Sequence, residues 1–112
     1  MTGQLPAFPA FAAATVALAL LTSVCQAQSG ADKVEAGASI YENYCGICHG
    51  ERLRNTSGGV TFDLRRLRPE DGERFRGAVL NGKNQMPPWR DVLNGEQIDS
   101  IWAYIRANVD KP

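Results

Sequence analysis

Two cysteines and a histidine stand within five residues of one another in the stretch NYCGICHG, residues 43–50. The chain of 112 residues has three cysteines and one histidine, so this stretch holds most of its thiol and imidazole groups. Cys-x-x-Cys-His is an attachment sequence for haem c. Thiols at this spacing can form thioethers with two vinyl groups of one porphyrin, and the next imidazole can face the iron. The motif predicts that Cys45 and Cys48 attach one haem and that His49 is an axial iron ligand.

Other uses of the motif fit the sequence less well. A disulfide between Cys45 and Cys48 would close a very small loop and would stabilise the chain little. A structural zinc site needs about four ligands, and the motif contains the only histidine. A thioredoxin-like dithiol belongs in a strand-and-helix context, whereas the patterns here are helical. A thiol oxidoreductase remains an alternative that a covalent haem stain on a denaturing gel would exclude.

The second axial ligand is predicted to be Met86. His49 is the only histidine, so two histidines of one chain cannot hold the iron, and a thioether is the other common donor. A single methionine is often core filler. The neighbours of Met86, however, are Gln85, Pro87 and Pro88, which do not form an apolar helical face, and a stiff proline-containing loop would hold the sulfur in place.

Two protein ligands on the iron would leave no position for oxygen, peroxide or substrate, so the sequence predicts a one-electron carrier and not an enzyme. Methionine and histidine together also raise the reduction potential of the haem. The alternative is a haem peroxidase or gas sensor in which Met86 can be displaced. Carbon monoxide binding to the ferrous protein would distinguish these functions.

The composition excludes some partners and indicates export. Lys+Arg and Asp+Glu are both 12, which argues against binding to nucleic acid or to an anionic membrane surface. The apolar run Ala10–Val24 is short for a membrane span of about 20 residues and is followed by CQA. We therefore expect residues 1–27 to be a signal peptide and residues 28–112 to be a periplasmic domain without stable membrane insertion. An uncleaved signal would leave the protein anchored in the membrane.

Apolar spacing predicts three main helices separated by long loops. The first begins near Asp32 and reaches Cys45, the second covers 68–82, and the third covers 94–109 with Asn94 and Gln97 as a capping pair. No strand pattern of useful length occurs. A domain of this size with so much loop has a thin core, and we expect the porphyrin to complete it.

These residues resemble class I cytochrome c over roughly Ala36–Val109, in GASIYENYCGICHG, MPPW and IWAYIRANV. The resemblance implies an all-α fold wrapped around one covalent haem. It also implies that Gly37 and Tyr41 of the first helix meet Ile101 and Tyr104 of the last. In this family a backbone carbonyl, often that of a proline, accepts the N–H of the proximal imidazole. Phe62 stands at that position here.

A finer resemblance concerns the small cytochromes that serve periplasmic quinoprotein alcohol dehydrogenases. It rests on GGVTFDLRRL and MPPWRDVLNGEQIDSIWAYI. It implies that a periplasmic dehydrogenase donates electrons and that a cytochrome or terminal oxidase of the respiratory chain accepts them.

The surface around the predicted haem edge supplies further candidates. Transient redox partners bury little area, so a small apolar patch with a cationic rim would be enough for docking. The patch would consist of Ile47, Met86, Pro87 and Pro88. The rim would consist of Arg52, Arg54, Arg65, Arg66 and Arg68. Candidates for contact with the haem propionates or the haem crevice are Arg65, Arg66, Trp89 and Arg90.

Overall fold

The computed structural model describes residues 2–7 and 29–109. The contacts divide the chain into two units, Met1–Gly30 and Ala31–Pro112. Residues 2–7 have no regular secondary structure, and the apolar run Ala10–Val24 lies outside the described residues, as does Cys25. No helix among the residues that are described is long and apolar enough to cross a bilayer.

The described part of the chain is helical and contains no strand, which confirms the predicted all-α class. Helix α1 covers 29–44, α2 is the single turn Gly46–His49, α3 is Gly72–Asn81 and α4 is Gly95–Asn108. Three short 3-10 helices lie in the connections, at Glu51–Leu53, Leu64–Arg66 and Pro69–Asp71.

One of the predicted helix ends is confirmed by the structure, and two differ from it. Asn94 and Gln97 form the predicted capping box of α4, with the Gln97 amide donating to Asn94 Oδ1 over 2.8 Å. Helix α1 already covers residue 29, so Asp32 lies within it and does not cap it. The segment from Pro69 begins as a 3-10 turn, because Asp71 accepts the Arg68 amide at 2.8 Å and caps that turn.

Helices α1 and α4 pack closely at a glycine, as the resemblance implied. A Cβ atom on Gly37 would lie 1.8 Å from the carbonyl oxygen of Ser100 and 3.0 Å from the amide nitrogen of Ile101. One turn further along α1, the Tyr41 ring lies 5.3 Å from the Tyr104 ring, centroid to centroid. Any side chain at position 37 would therefore push the two helices apart.

The core surrounds this crossing. It is a single cluster of buried apolar side chains from α1, α3, α4 and the loops between them. Its members are Tyr41, Leu53, Leu67, Phe75, Val79, Leu93, Ile98, Ile101, Tyr104 and Ile105. Helix α3 reaches α4 through the Phe75 and Trp102 rings, whose centroids lie 5.2 Å apart, and through the ion pair between Arg76 and Asp99.

The connection between α2 and α3 is also fixed to α4. The Arg106 guanidinium donates to the carbonyl oxygen of Leu67 over 2.8 Å and lies 5.8 Å from the centre of the Trp102 ring. Because Leu67 is itself buried, this bond holds the loop that leads away from the cysteine motif against the last helix.

We predict that Gly37→Ala destabilises the haem-bound protein. The new methyl group would overlap the backbone of α4, and overpacking of this kind costs about 1–3 kcal/mol or more. Urea denaturation followed by far-UV circular dichroism measures the change.

Gly77→Ala in α3 is the matched control, because its Cβ would meet no protein atom within 4 Å. That variant should be as stable as the wild type, or more stable by about 0.5–1 kcal/mol from helix propensity. Equal effects of the two substitutions would show that the crossing does not depend on Gly37.

Candidate haem site

The cysteine motif continues α1 almost without interruption. The Cys45 amide donates to the carbonyl of Tyr41 over 2.8 Å, and the His49 amide donates to the carbonyl of Cys45 over 2.9 Å. The single turn α2 therefore takes its direction from α1, which is itself fixed against α4 at Gly37. Cys45 is half-buried against the core and Cys48 is exposed. Both are free thiols.

The electrostatics of Cys45 do not suit a redox dithiol. Burial, with smaller contributions from Cys48 and Glu42, raises the pKa of the Cys45 thiol to about 11. Disulfide exchange requires a thiolate, and catalytic Cys-x-x-Cys pairs lower this pKa. In thioredoxin-like proteins such a motif follows a strand, whereas the described residues of this chain contain no strand. The site therefore does not suit thiol exchange.

The imidazole of His49 is oriented by the backbone of a distant loop. Its Nδ1 lies 3.0 Å from the carbonyl oxygen of Phe62. A carbonyl can only accept, so Nδ1 is the donor, and in the neutral imidazole Nε2 then has a lone pair available for a metal. This is the contact that the resemblance implied, with phenylalanine in place of the proline.

The turn after His49 depends on a glycine and a buried hydroxyl. Gly50 has φ of 91°, and a Cβ there would lie 2.0 Å from the carbonyl oxygen of Arg54. The hydroxyl of Tyr41, whose residue is 0% exposed, donates to the carbonyl of Gly50 over 2.6 Å. Sequence analysis did not identify this role of Tyr41, although Gly50 after a one-turn helix is a recognisable stop signal.

Met86 lies on a tight turn that is fixed to α3. Lys83 and Met86 exchange two backbone hydrogen bonds of 3.0 and 2.9 Å, and Gly82 enters the turn with φ of 74°. The Trp89 amide then donates to the carbonyl of Val79 over 2.8 Å. Met86 is half-buried against the core cluster.

The ring of Trp89 connects this turn to the end of α1. It meets the Tyr44 ring edge-on, with centroids 5.6 Å apart. Tyr44 immediately precedes Cys45, so the methionine turn and the cysteine motif are joined by an aromatic contact.

Two of the four residues that the sequence suggested for the propionates and the haem crevice already have polar partners. Arg65 forms a bidentate pair with Asp63, with bonds of 3.0 and 2.9 Å. Arg90 donates to the side chain of Asn81. Asp63, two residues from Arg65, therefore already accepts hydrogen bonds from its guanidinium, and no haem propionate is needed for this.

The predicted cationic rim is also partly neutralised. Arg68 lies 3.2 Å from Asp71 and 3.2 Å from Glu70, and Arg65 is paired with Asp63. Each arginine lowers the pKa of its aspartate through a side-chain hydrogen bond. Arg52, Arg54 and Arg66 remain exposed candidates for the rim.

The exposed apolar side chains fit a haem at this site. Among the described residues the large exposed apolar ones are Leu5, Tyr44, Ile47, Val60, Phe62 and Val92. Four of these six lie between positions 44 and 62, around the cysteines and the loop that contacts His49. A haem attached at Cys45 and Cys48 would cover apolar side chains in this segment, whose burial is favourable. Two free thiols, an imidazole and the thioether of Met86, which packs against the same core cluster as Cys45, are the donors that haem c uses.

The sequence also matches a known protein family. Residues 32–105 match the family model described as "Cytochrome C oxidase, cbb3-type, subunit III". No solved structure matches the chain.

Several curated cytochromes are similar in sequence. Cytochrome c6 of Bryopsis maxima is 30% identical over 90 residues, which cover 70% of this chain and 94% of that protein. Cytochrome c550 of Pseudomonas aeruginosa is 38% identical over 81 residues, covering 66% of this chain and 54% of that protein.

A larger protein also matches. The quinohemoprotein alcohol dehydrogenase ADH-IIG of Pseudomonas putida is 42% identical over 74 residues, or 64% of this chain. The chain covers 10% of that protein's length. Cytochrome c6 of Bryopsis maxima is matched over nearly its whole length, and the residues that the family model matches, 32–105, include the cysteine motif and most of the three main helices. The chain therefore belongs to the class I c-type cytochromes, which carry one covalently bound haem c.

Proposed function

We propose that this chain is an exported monohaem cytochrome that carries single electrons, with His49 and Met86 as the axial ligands of its iron. The observation that carries this proposal is the hydrogen bond between His49 Nδ1 and the Phe62 carbonyl, 3.0 Å long. It fixes the tautomer that leaves Nε2 for iron, and a hydrogen bond of this kind increases the basicity of a ligating histidine.

The chain's own residues would hold the haem in three ways. Cys45 and Cys48 would form thioethers with it, His49 would supply Nε2, and Met86 would supply its sulfur. The haem supplies an iron centre that can gain or lose one electron. The protein fixes the two ligand-bearing segments against the same core cluster, through Cys45 on one side and Met86 on the other.

Met86 is supported as a ligand by its backbone. Both backbone groups of Met86 are used in the turn with Lys83, and the next two residues are prolines. This saturated, stiff backbone would keep the sulfur in one place. If signal cleavage removes Met1, Met86 is also the only methionine of the mature chain.

An electron carrier is favoured over an enzyme because two protein ligands exclude other molecules from the iron. A peroxidase or a gas sensor would need Met86 to leave, and its turn is held by Gly82, Lys83 and Trp89. The comparisons with cytochromes c6 and c550 favour the same function.

We place the cytochrome in the periplasm, with residues 1–27 as its signal peptide and 28–112 as the working domain. The similarity to part of a quinohemoprotein alcohol dehydrogenase supports a periplasmic dehydrogenase as electron donor. A cytochrome or a terminal oxidase would be the acceptor. Ile47, which is 91% exposed between the two cysteines, would form the docking patch with Met86, Pro87 and Pro88.

We predict that Met86→Ala lowers the reduction potential and allows carbon monoxide to bind the reduced protein at neutral pH. The reason is that loss of the thioether vacates one axial position. Absorption spectra with and without carbon monoxide, together with a redox titration, measure both effects.

The control for this test is Lys83→Ala in the same turn, because Lys83 contributes backbone bonds to that turn. It should keep the wild-type potential and exclude carbon monoxide. A Met86→Ala protein that behaves like this control would remove Met86 from the ligand set. Rapid carbon monoxide binding by the wild type would favour a sensor or peroxidase.

We also predict that the purified exported protein has the mass of residues 28–112 plus one haem. Its pyridine haemochrome spectrum should be that of a haem with two thioether bonds. Cys48→Ala should shift this spectrum to the single-thioether form, since one vinyl group stays intact. An exported chain without bound porphyrin would contradict the proposed function, and a mass that includes residues 1–27 would contradict signal cleavage.

A further inference from the structure

The loop that presents the Phe62 carbonyl to His49 is held by a polar network. Asn55 Nδ2 donates to the carbonyl of Thr61 over 2.6 Å. The Ser57 hydroxyl accepts the Thr61 amide at 2.9 Å and donates to Asn55 Oδ1 over 2.7 Å. Asn55 Oδ1 also accepts the Ser57 amide at 2.9 Å. Both backbone groups of Thr61 are therefore bonded to side chains on the opposite side of the loop.

The geometry of the loop makes this network possible. Gly58 and Gly59 have φ of 66° and 96°, which lets the chain reverse between Ser57 and Thr61. Asn55, Ser57 and Thr61 are all half-buried, whereas Thr56 between the first two is exposed. Asn55, Ser57 and Thr61 thus lie on the inner side of the turn.

The other side of Phe62 is restrained as well. Asp63 caps the following 3-10 helix by accepting the Arg65 amide at 3.0 Å. The Arg74 guanidinium lies 5.6 Å from the centre of the Phe62 ring. Phe62 is thus fixed through both of its chain neighbours and through its ring.

These restraints matter because phenylalanine, unlike proline, does not restrict its own backbone dihedral angles. A proline fixes φ near −65° through its ring, whereas Phe62 can rotate about both backbone angles. A carbonyl that rotates away would leave His49 Nδ1 without its acceptor. The His49 imidazole would then be less basic, since the hydrogen bond increases its basicity.

We propose that Asn55 and Ser57 are positioning residues for the axial histidine, which act by fixing Thr61 and hence the direction of the Phe62 carbonyl. This inference rests on the proposed role of His49 as an iron ligand. In this chain a side-chain network performs the restraint that a proline ring would otherwise provide.

The test uses the haem-bound ferrous protein with ¹⁵N-labelled histidine, since the single histidine of the chain gives an unambiguous ring signal. Ser57→Ala should increase the rate at which the His49 Nδ1–H exchanges with solvent by about tenfold, as expected for the loss of roughly one hydrogen bond of restraint. It should also shift the reduction potential upwards, because a less basic imidazole stabilises ferric iron less. Ser57→Thr, which keeps the hydroxyl, should restore both values.

A second variant and a control complete the experiment. Asn55→Asp keeps the acceptor for Ser57 but loses the donor to Thr61, and it should also accelerate exchange. Thr56→Ala, an exposed neighbour in the same loop, should leave exchange and potential unchanged.

The two proposals can fail separately. If the wild-type Nε2 signal shows iron ligation and both Ser57→Ala and Asn55→Asp keep wild-type exchange and potential, the positioning role is wrong and the ligand assignment stands. If the wild-type Nε2 carries no sign of ligation to iron, the assignment of His49 itself is wrong. Faster exchange in Thr56→Ala equal to that in Ser57→Ala would also overturn the positioning role, because any disturbance of the loop would then suffice.

Discussion

The close crossing of α1 and α4 at Gly37 is the constraint on which the rest of the structure depends. It sets the position of α1, whose last turn continues into Cys45 and then into His49. Tyr41, one turn after the glycine, extends the same contact to Tyr104 and also supports the carbonyl of Gly50. The packing of α1 on α4 at Gly37 thus determines where the cysteine motif lies.

The segments that carry the two proposed iron ligands are attached to this frame by hydrogen bonds. The His49 ring meets the Phe62 carbonyl, and the Met86 turn is attached to α3 through Trp89 and Val79. Arg106 of α4 holds the chain at Leu67, between those two segments. Each loop that reaches the site is therefore fixed to a helix of the crossing or to a helix packed on it, and the long connections need little regular structure of their own.

Sequence reasoning predicted the features that depend on residue type and local spacing. The cysteine motif, the absence of strand patterns after residue 28 and the capping pair at Asn94 follow from short-range rules. Gly37 was identified through a family resemblance, because a mid-helix glycine by itself has no unique meaning. The start of α1 is not at Asp32, where the sequence predicts it, since a plausible cap inside a helix looks the same in sequence as one at its end.

The polar contacts around the site could not be predicted in the same way. Asn55 and Ser57 look like ordinary residues of a hydrated loop, and their role appears only when the fold brings Thr61 back towards them. Arg65 was considered for the haem propionates although Asp63, its actual partner, stands two residues away. Side-chain hydrogen bonds depend on loop direction, which the sequence pattern does not encode.

The turn at Met86 has a consequence for the speed of electron exchange. Its amide and carbonyl are both bonded to Lys83, and the edge-on contact of Trp89 with Tyr44 ties the same segment to α1. If Met86 binds the iron as proposed, its sulfur would keep the same neighbours in both oxidation states. Few atoms would then have to move when an electron is gained or lost, as in other preorganised sites. The rate of electron transfer would depend mainly on how often the protein meets its partners.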